Sequence, residues 1–130
     1  MRKKGKLENL ISPLMDLVFD DYLKLKRAEK KKEHLWVITF NFEQKEGLVW
    51  RLKGLNPEKE DIKFEPIYTF LLFQPFRDFV IVHNHPNDTL IFSSQDKKFL
   101  KRAKKVFKRV NYNLLGLVVF NSKGRFKLVS

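Results

Sequence analysis

Two stretches of this chain are apolar on both faces of an extended backbone. "HLWVITFN" (34–41) and "FVIV" (79–82) lack the in–out alternation of a strand with one wet side. A strand can be apolar on both sides only if both sides are covered. The pattern therefore predicts a sheet held between layers of helix. The helices can be found. From Leu7 to about Lys32 apolar residues recur at helical spacing (Leu7, Leu10, Ile11, Leu14, Leu17, Val18, Tyr22, Leu25), after a frayed, solvated "MRKKGK". Pro13 falls within this run, where a helix can break or kink. "FEPIYTFLLFQP" (64–75) has Pro66 suited to a first helical position and Pro75 as a stop. Ser94 to Val110 is the clearest helix: Phe99, Leu100, Ala103, Val106, Phe107 and Val110 form one stripe. Lys97, Lys98, Lys101, Arg102, Lys104, Lys105, Lys108 and Arg109 cover the rest.

The remaining strands complete the sheet. After a turn at "FEQKEG", Leu48–Lys53 pairs back on 34–41 as a hairpin, and "GLNPEKED" is a loop. Arg77–His83 is a second buried strand. "LLGLVVF" and "RFKLVS" flank "NSKG" as a C-terminal hairpin, with Gly124 free to take a positive φ. The fold class is α+β, an α/β/α sandwich with a mixed sheet flanked by helices. A chain of 130 residues with 43% hydrophobic residues and thirteen Phe supports one compact domain and excludes general disorder.

Cysteine is absent, which excludes a disulfide scaffold and any Cys-based zinc knuckle. A reducing compartment, the cytoplasm, fits best. Any metal must be held by His, Asp or Glu. No apolar run is long enough to cross a bilayer. The basic start has an apolar stretch broken by Pro13 and Asp16 and no small-residue cleavage site, so it reads as mature protein without a membrane partner. Lys and Arg number 27 against 15 Asp and Glu, a net charge of +12. Such a field steers polyanions or acidic surfaces toward the protein. The plainer reading is a solvated lysine surface that keeps a Phe-rich protein soluble.

The strand at 79–82 ends in His83 and His85. Residues i and i+2 of an extended chain point to one side, so two imidazoles can share one cation. Polar histidines facing a loop are the commoner explanation of such a pair. Ser93 and Asp96 have a similar everyday reading, as an N-cap and its N3 acid. The helix phase shifts the balance. Asp96 precedes Phe99, Leu100 and Ala103 by three, four and seven residues, so it belongs to the buried stripe. A carboxylate aimed at the core costs several kcal/mol, of the order of ~3 or more, unless it is paired. The two histidines can answer it. Two neutral imidazoles and a carboxylate around Zn²⁺ leave one position open, the layout of a catalytic zinc site. The metal's water then needs a proton acceptor. Glu33, at the entry to the first buried strand, is the candidate, and Glu65 is its rival.

These residues resemble the JAMM (MPN+) metalloprotease motif: His83-x-His85, seven residues, Ser93-x-x-Asp96, with a Glu well upstream. "FVIVHNHPND" is similar to the "HNHPSG" segment of the RadC-type branch, once named for DNA repair. "EHLWVITFN" and "LLGLVVFN" are similar to that branch's first and later strands. The resemblance runs from about Glu33 to the C-terminus. It implies a JAB/MPN fold related to cytidine deaminases over 33–130, with 1–32 a basic helical segment packed on it. It further implies Zn²⁺ on His83, His85 and Asp96, Glu33 as general base and then general acid, and Ser93 stabilising the oxyanion. Two departures stand out: Asn87-Asp88 replaces the usual Ser-Gly, and "FEP" replaces a Pro-Arg-Glu stretch.

The function expected is a zinc-dependent metalloprotease that cleaves a peptide or isopeptide bond, in a protein substrate that could be a ubiquitin-like conjugate. The alternative is a DNA-associated accessory protein, of repair or of a mobile element, that binds nucleic acid through its basic surface. Fe²⁺, Co²⁺ or Mn²⁺ could replace Zn²⁺. Phe-rich edges such as "IYTFLLF" could support a homodimer.

Overall fold

A computed structural model describes residues 3–41, 43, 44, 46–52 and 64–130, with side chains from residue 6 onward. Its elements follow in the order α1 (Lys3–Leu23), α2 (Arg27–Lys30), β1 (Leu35–Asn41), β2 (Glu46–Leu52), α3 (Phe64–Leu72), β3 (Asp78–Asn84), α4 (Ser94–Arg109), β4 (Asn113–Phe120) and β5 (Phe126–Val129). The five strands form one mixed sheet in the order β2-β1-β3-β4-β5. β3 and β4 run parallel with α4 as their crossover, and every other neighbouring pair is antiparallel. β3 is thus the central strand and β1 its neighbour, with Leu35 opposite His83.

The sheet has helix on both faces, which is why β1 and β3 are buried along nearly their whole length. Trp36, Ile38, Phe40, Val80, Val82, Val118 and Phe120 meet α1 through Leu7, Ile11, Met15, Val18 and Tyr22. Leu35, Val37, Phe79, Ile81, Leu114 and Leu117 meet α3 and α4 through Ile67, Leu71, Leu100, Ala103 and Phe107. The architecture is a three-layer α/β/α sandwich of the α+β class.

Some local expectations change. The helical spacing expected through Lys32 resolves into α1, a turn, and the single turn of α2. α1 begins at Lys3, so residues 3–6 of "MRKKGK" are helical, and it continues through Pro13. Pro13 stands on the exposed side, where the hydrogen bond it forfeits leaves a carbonyl facing water. Met15 takes the buried place expected of Leu17, which is exposed. The "GLNPEKED" loop and Lys53 lie outside the described residues. Among those residues no helix is long and apolar enough to cross a membrane.

α1 is tied to the sheet by Asp21, which accepts the indole N–H of fully buried Trp36 at 2.9 Å and lies 3.3 Å from Arg51 Nε. At the other edge β4 and β5 approach closely at Gly116. A Cβ there would lie 2.6 Å from Leu128 Cδ1 and 2.8 Å from the Val129 carbonyl oxygen. Leu128 could rotate away, but the backbone oxygen could not. Gly116→Ala should therefore destabilise the fold by about 1–3 kcal/mol, read as a lowered urea midpoint with an unchanged slope.

Candidate metal centre

The chain reverses at the carboxyl end of β3, where the crossover into α4 begins. Two devices hold His85 just beyond the strand. Its backbone N–H donates to the Phe120 carbonyl at 2.9 Å, extending the β3–β4 pairing by one step. Asp88 N–H then donates to the His85 carbonyl at 3.0 Å, closing a turn with Pro86 at its second position. Asn84 between the histidines points to the other layer and is buried. Its Oδ1 accepts from His34 N–H at 2.6 Å and its Nδ2 donates to the Lys32 carbonyl at 2.9 Å. One side chain thereby fastens the segment entering β1 to the end of β3.

Asp96 arrives from α4. Ser93 caps that helix: its Oγ accepts from Asp96 N–H at 3.0 Å, and Asp96 Oδ2 accepts from Ser93 N–H at 2.9 Å. The reciprocal cap holds the carboxylate at the end of β3. Oδ1 lies 3.6 Å from His83 Nε2, and Oδ2 lies 3.9 Å from His85 Nε2. The two Nε2 atoms are 3.0 Å apart. The cap of Asp96 is thus compatible with a ligand role for the same carboxylate.

The donor set suits a divalent cation. The three ligand atoms lie within 4.8 Å of one another. A tetrahedral zinc with bonds of about 2.05 Å would need donor separations of about 3.3 Å, and the separations seen bracket that figure. His85 Nδ1 sits 3.2 Å from the Thr89 carbonyl. A carbonyl only accepts, so the proton is on Nδ1 and the Nε2 lone pair is turned inward. Burial pushes the His83 imidazole down from 6.5 to about 4; Asp96 opposes this and His85 adds to it. His83 is neutral at pH 7, as a ligand must be. Its Nδ1 is buried without a hydrogen-bond partner among the described residues.

The sequence model of the RadC-like JAB domain matches residues 16–130. The chain belongs to that family. No curated protein sequence matches it. The family match begins inside α1, upstream of Glu33.

Within this RadC-like JAB domain, Ser93 is exposed beside the carboxylate it caps. Its oxygen accepts in the cap, so its hydroxyl proton remains available to a ligand. Glu33 is half-buried just before β1 and is not one of the three clustered donors. The β1–β3 register, continued past Leu35–His83, sets residue 33 across from residue 85. Alternation assigns it to the face of Leu35 and Val37, the α4 side. Its neighbour His34 belongs to the other layer, with its ring 6.1 Å from Trp36 and Nε2 2.7 Å from the Glu29 carbonyl. Glu65 is exposed in the first turn of α3 and is not one of the clustered donors either.

Residues that motif reading passed over complete the loop. Asp88 has φ 62°, the left-handed region that a family glycine would occupy without strain. Its carboxylate accepts from Ser122 N–H and Ser122 Oγ–H, both at 2.8 Å, and its carbonyl accepts from Asn121 Nδ2 at 3.4 Å. The bonds from Ser122, followed by the charge of Lys123, hold the Asp88 carboxyl below the usual range. The loop carrying His85 is thereby tied to the β4–β5 turn. The signal was the Asn-Asp pair after Pro86, a residue type tolerant of positive φ where glycine was usual.

Asp88→Gly keeps the backbone conformation and removes the tether. Titration against a chelating dye should show divalent-metal affinity weakened roughly tenfold, with Ser122→Ala acting in the same direction. The pH behaviour of His83 gives a second test. Below pH about 6.5 the unfolded chain takes a proton at His83 that the folded protein refuses until about pH 4. Stability of the chelator-treated protein should fall as pH drops through that window and level off below it, by roughly 2–4 kcal/mol. Asp96 and His85 face the same imidazole, so the measurement is the difference in urea midpoint between wild type and His83→Gln across pH. That difference should change only inside the window.

Proposed function

We propose that this RadC-like JAB domain is a zinc-dependent hydrolase of the JAMM type that cleaves a peptide or isopeptide bond. The observation that carries the reading is the convergence of His83 Nε2, His85 Nε2 and the Asp96 carboxylate at the mouth of the β3–α4 crossover. Two imidazoles and a carboxylate turned toward one point, with His83 held neutral by burial, form a donor set suited to a divalent ion. Three protein donors on a four-coordinate ion would leave one position for water or substrate. When bound, the ion supplies a Lewis acid and makes water nucleophilic at neutral pH.

The chain's own groups divide the rest of the work. His83, His85 and Asp96 hold the ion, and the Ser93–Asp96 cap keeps the carboxylate from swinging away. The Glu33 carboxylate takes one proton from the attacking water as the C–O bond forms. It returns that proton to the amide nitrogen as the C–N bond breaks, giving a carboxylic acid and an amine; the acid's proton then passes to the amine, so the products leave as carboxylate and ammonium. The alternation along β1 supports this role, because Glu33 shares the α4-side face with His83. The Ser93 hydroxyl donates to the carbonyl oxygen as negative charge gathers there. Its exposure beside Asp96 supports that role. A polypeptide substrate, including one joined through a lysine side chain, would present such an amide at the open position.

Protein purified without chelator should carry close to one divalent ion per chain by elemental analysis, which also reads whether zinc is the ion. Asp96→Ala should lose the metal. Glu33→Gln should keep it and slow cleavage of peptide- and isopeptide-linked reporters by about 10²–10⁴-fold. Full activity of Glu33→Gln would remove Glu33 as the base and direct the same test to Glu65. A wild-type protein that binds no divalent ion would end the hydrolase reading.

A further inference from the structure

The charge of this protein is segregated along the chain. After Asp96 no Asp or Glu occurs, and the last 34 residues carry eleven of the cations. Eight of them lie on α4. Leu100, Ala103 and Phe107 turn inward, while Lys97, Lys98, Lys101, Arg102, Lys105, Lys108 and Arg109 are exposed and Lys104 is half-exposed. None of the eight has a carboxylate partner among the described residues; the ion pairs there involve Asp21, Glu29 and Asp96. Lys127 extends the surface. It alternates with buried Leu128 and shares its face with Val129, which packs on the α3–α4 side.

We infer that the outer face of α4 binds the phosphate backbone of duplex nucleic acid, without reading base sequence. Three properties of the face select this ligand. Its cations recur at intervals of three and four residues, about 4.5–6 Å of helix rise, along a sixteen-residue helix about 24 Å long. That length spans about seven base-pair steps at 3.4 Å each. The face has no apolar centre, since the first exposed large apolar residue is Val110 at the C-cap. Protein–protein interfaces are depleted of charge at their cores, so this face does not fit a folded partner. No exposed aromatic ring stands on it, which disfavours stacking with unpaired bases. Among the described residues the ring that engages these cations is half-buried Phe64, 5.1 Å beneath Arg102. The inference uses none of the metal ligands and is independent of the proposed hydrolysis.

The test is fluorescence anisotropy with labelled 20-base-pair duplexes of unrelated sequence, as DNA and as RNA, between 50 and 200 mM salt. Binding should be indifferent to sequence, and log K against log salt should fall with a slope of about −4 or steeper. The triple variant Lys101→Glu, Lys105→Glu, Lys108→Glu should bind at least tenfold more weakly, with a slope shallower by about 3. The control triple Lys24→Glu, Lys26→Glu, Arg27→Glu makes the same charge change at exposed positions between α1 and β1. It should lose less than threefold. All six positions are exposed, and circular dichroism reads whether the variants stay folded; the wild-type slope tests the inference without any variant. Absence of binding at 50 mM salt and micromolar protein would overturn it, as would equal loss in both triples. Displacement of the duplex by poly-glutamate at equal charge concentration would overturn it in favour of an acidic polypeptide.

Discussion

A single carboxylate joins the helix cap to the candidate metal centre. Asp96 satisfies a backbone N–H that the first turn of α4 leaves open, and the same carboxylate closes a triangle with two imidazoles. The arrangement is rigid because its anchor is main chain. Ser93 N–H fixes Oδ2, so Oδ1 is set toward His83 without relying on a flexible side-chain partner. The positive end of the helix favours negative charge at that position even before any cation binds. A helix start of this kind costs the fold little, since an acid at N3 is what the helix would take anyway. The chemistry is thus superimposed on a residue that local structure already favours.

The location follows from topology. β3 and β4 are parallel, so the chain must cross over, and the crossover begins where β3 ends. Strand ends and the helix N-terminus meet there, leaving backbone groups and side chains turned toward a crevice. The apolar layers below hold the sheet end still. Three further ties converge on it: Asn84 fastens the entry to β1, Phe120 receives His85 N–H, and Asp88 grips the β4–β5 turn. Each of the three sheet segments around the centre is therefore attached to the loop that carries the histidines. A ligand set assembled from one strand and one helix needs such fastening, because a displacement of about an ångström would separate its donors.

What could be read from sequence had a period behind it. His83 and His85 share a side because extended chain repeats every two residues, and Asp96 faces inward because it falls in phase with Leu100, Ala103 and Phe107. Double-sided burial of β1 and β3 announced the three layers in the same way. Features that depend on a tertiary partner were not legible. Nothing in "HNH" says that the middle residue clamps two carbonyl- and amide-bearing positions fifty residues upstream. Nor does "PND" reveal that its acid will find Ser122; only the positive φ tolerated by Asp at that place hints at a special turn. Glu33 is intermediate. Its place across from residue 85 follows from strand register, which pairing determines, whereas its face follows from alternation, which sequence carries.

α4 shows how one helix can present two unrelated chemistries without conflict. Its inward stripe and its first-turn acid belong to the core and the candidate metal centre, while its outer cations have no carboxylate partner among the described residues. Each additional lysine on that face adds repulsion within the helix, because like charges three and four residues apart destabilise it by a few tenths of a kcal/mol, roughly 0.2–0.5 per pair. Solubility alone would be met equally well by mixed signs, which would relieve that repulsion through pairs along the helix. A face kept at one sign along its whole length forgoes that relief, and its field favours polyanions over neutral or basic surfaces. The buried stripe absorbs the resulting strain: Leu100, Ala103 and Phe107 seat the helix on β4 and β3, and their burial outweighs the repulsion on the opposite side.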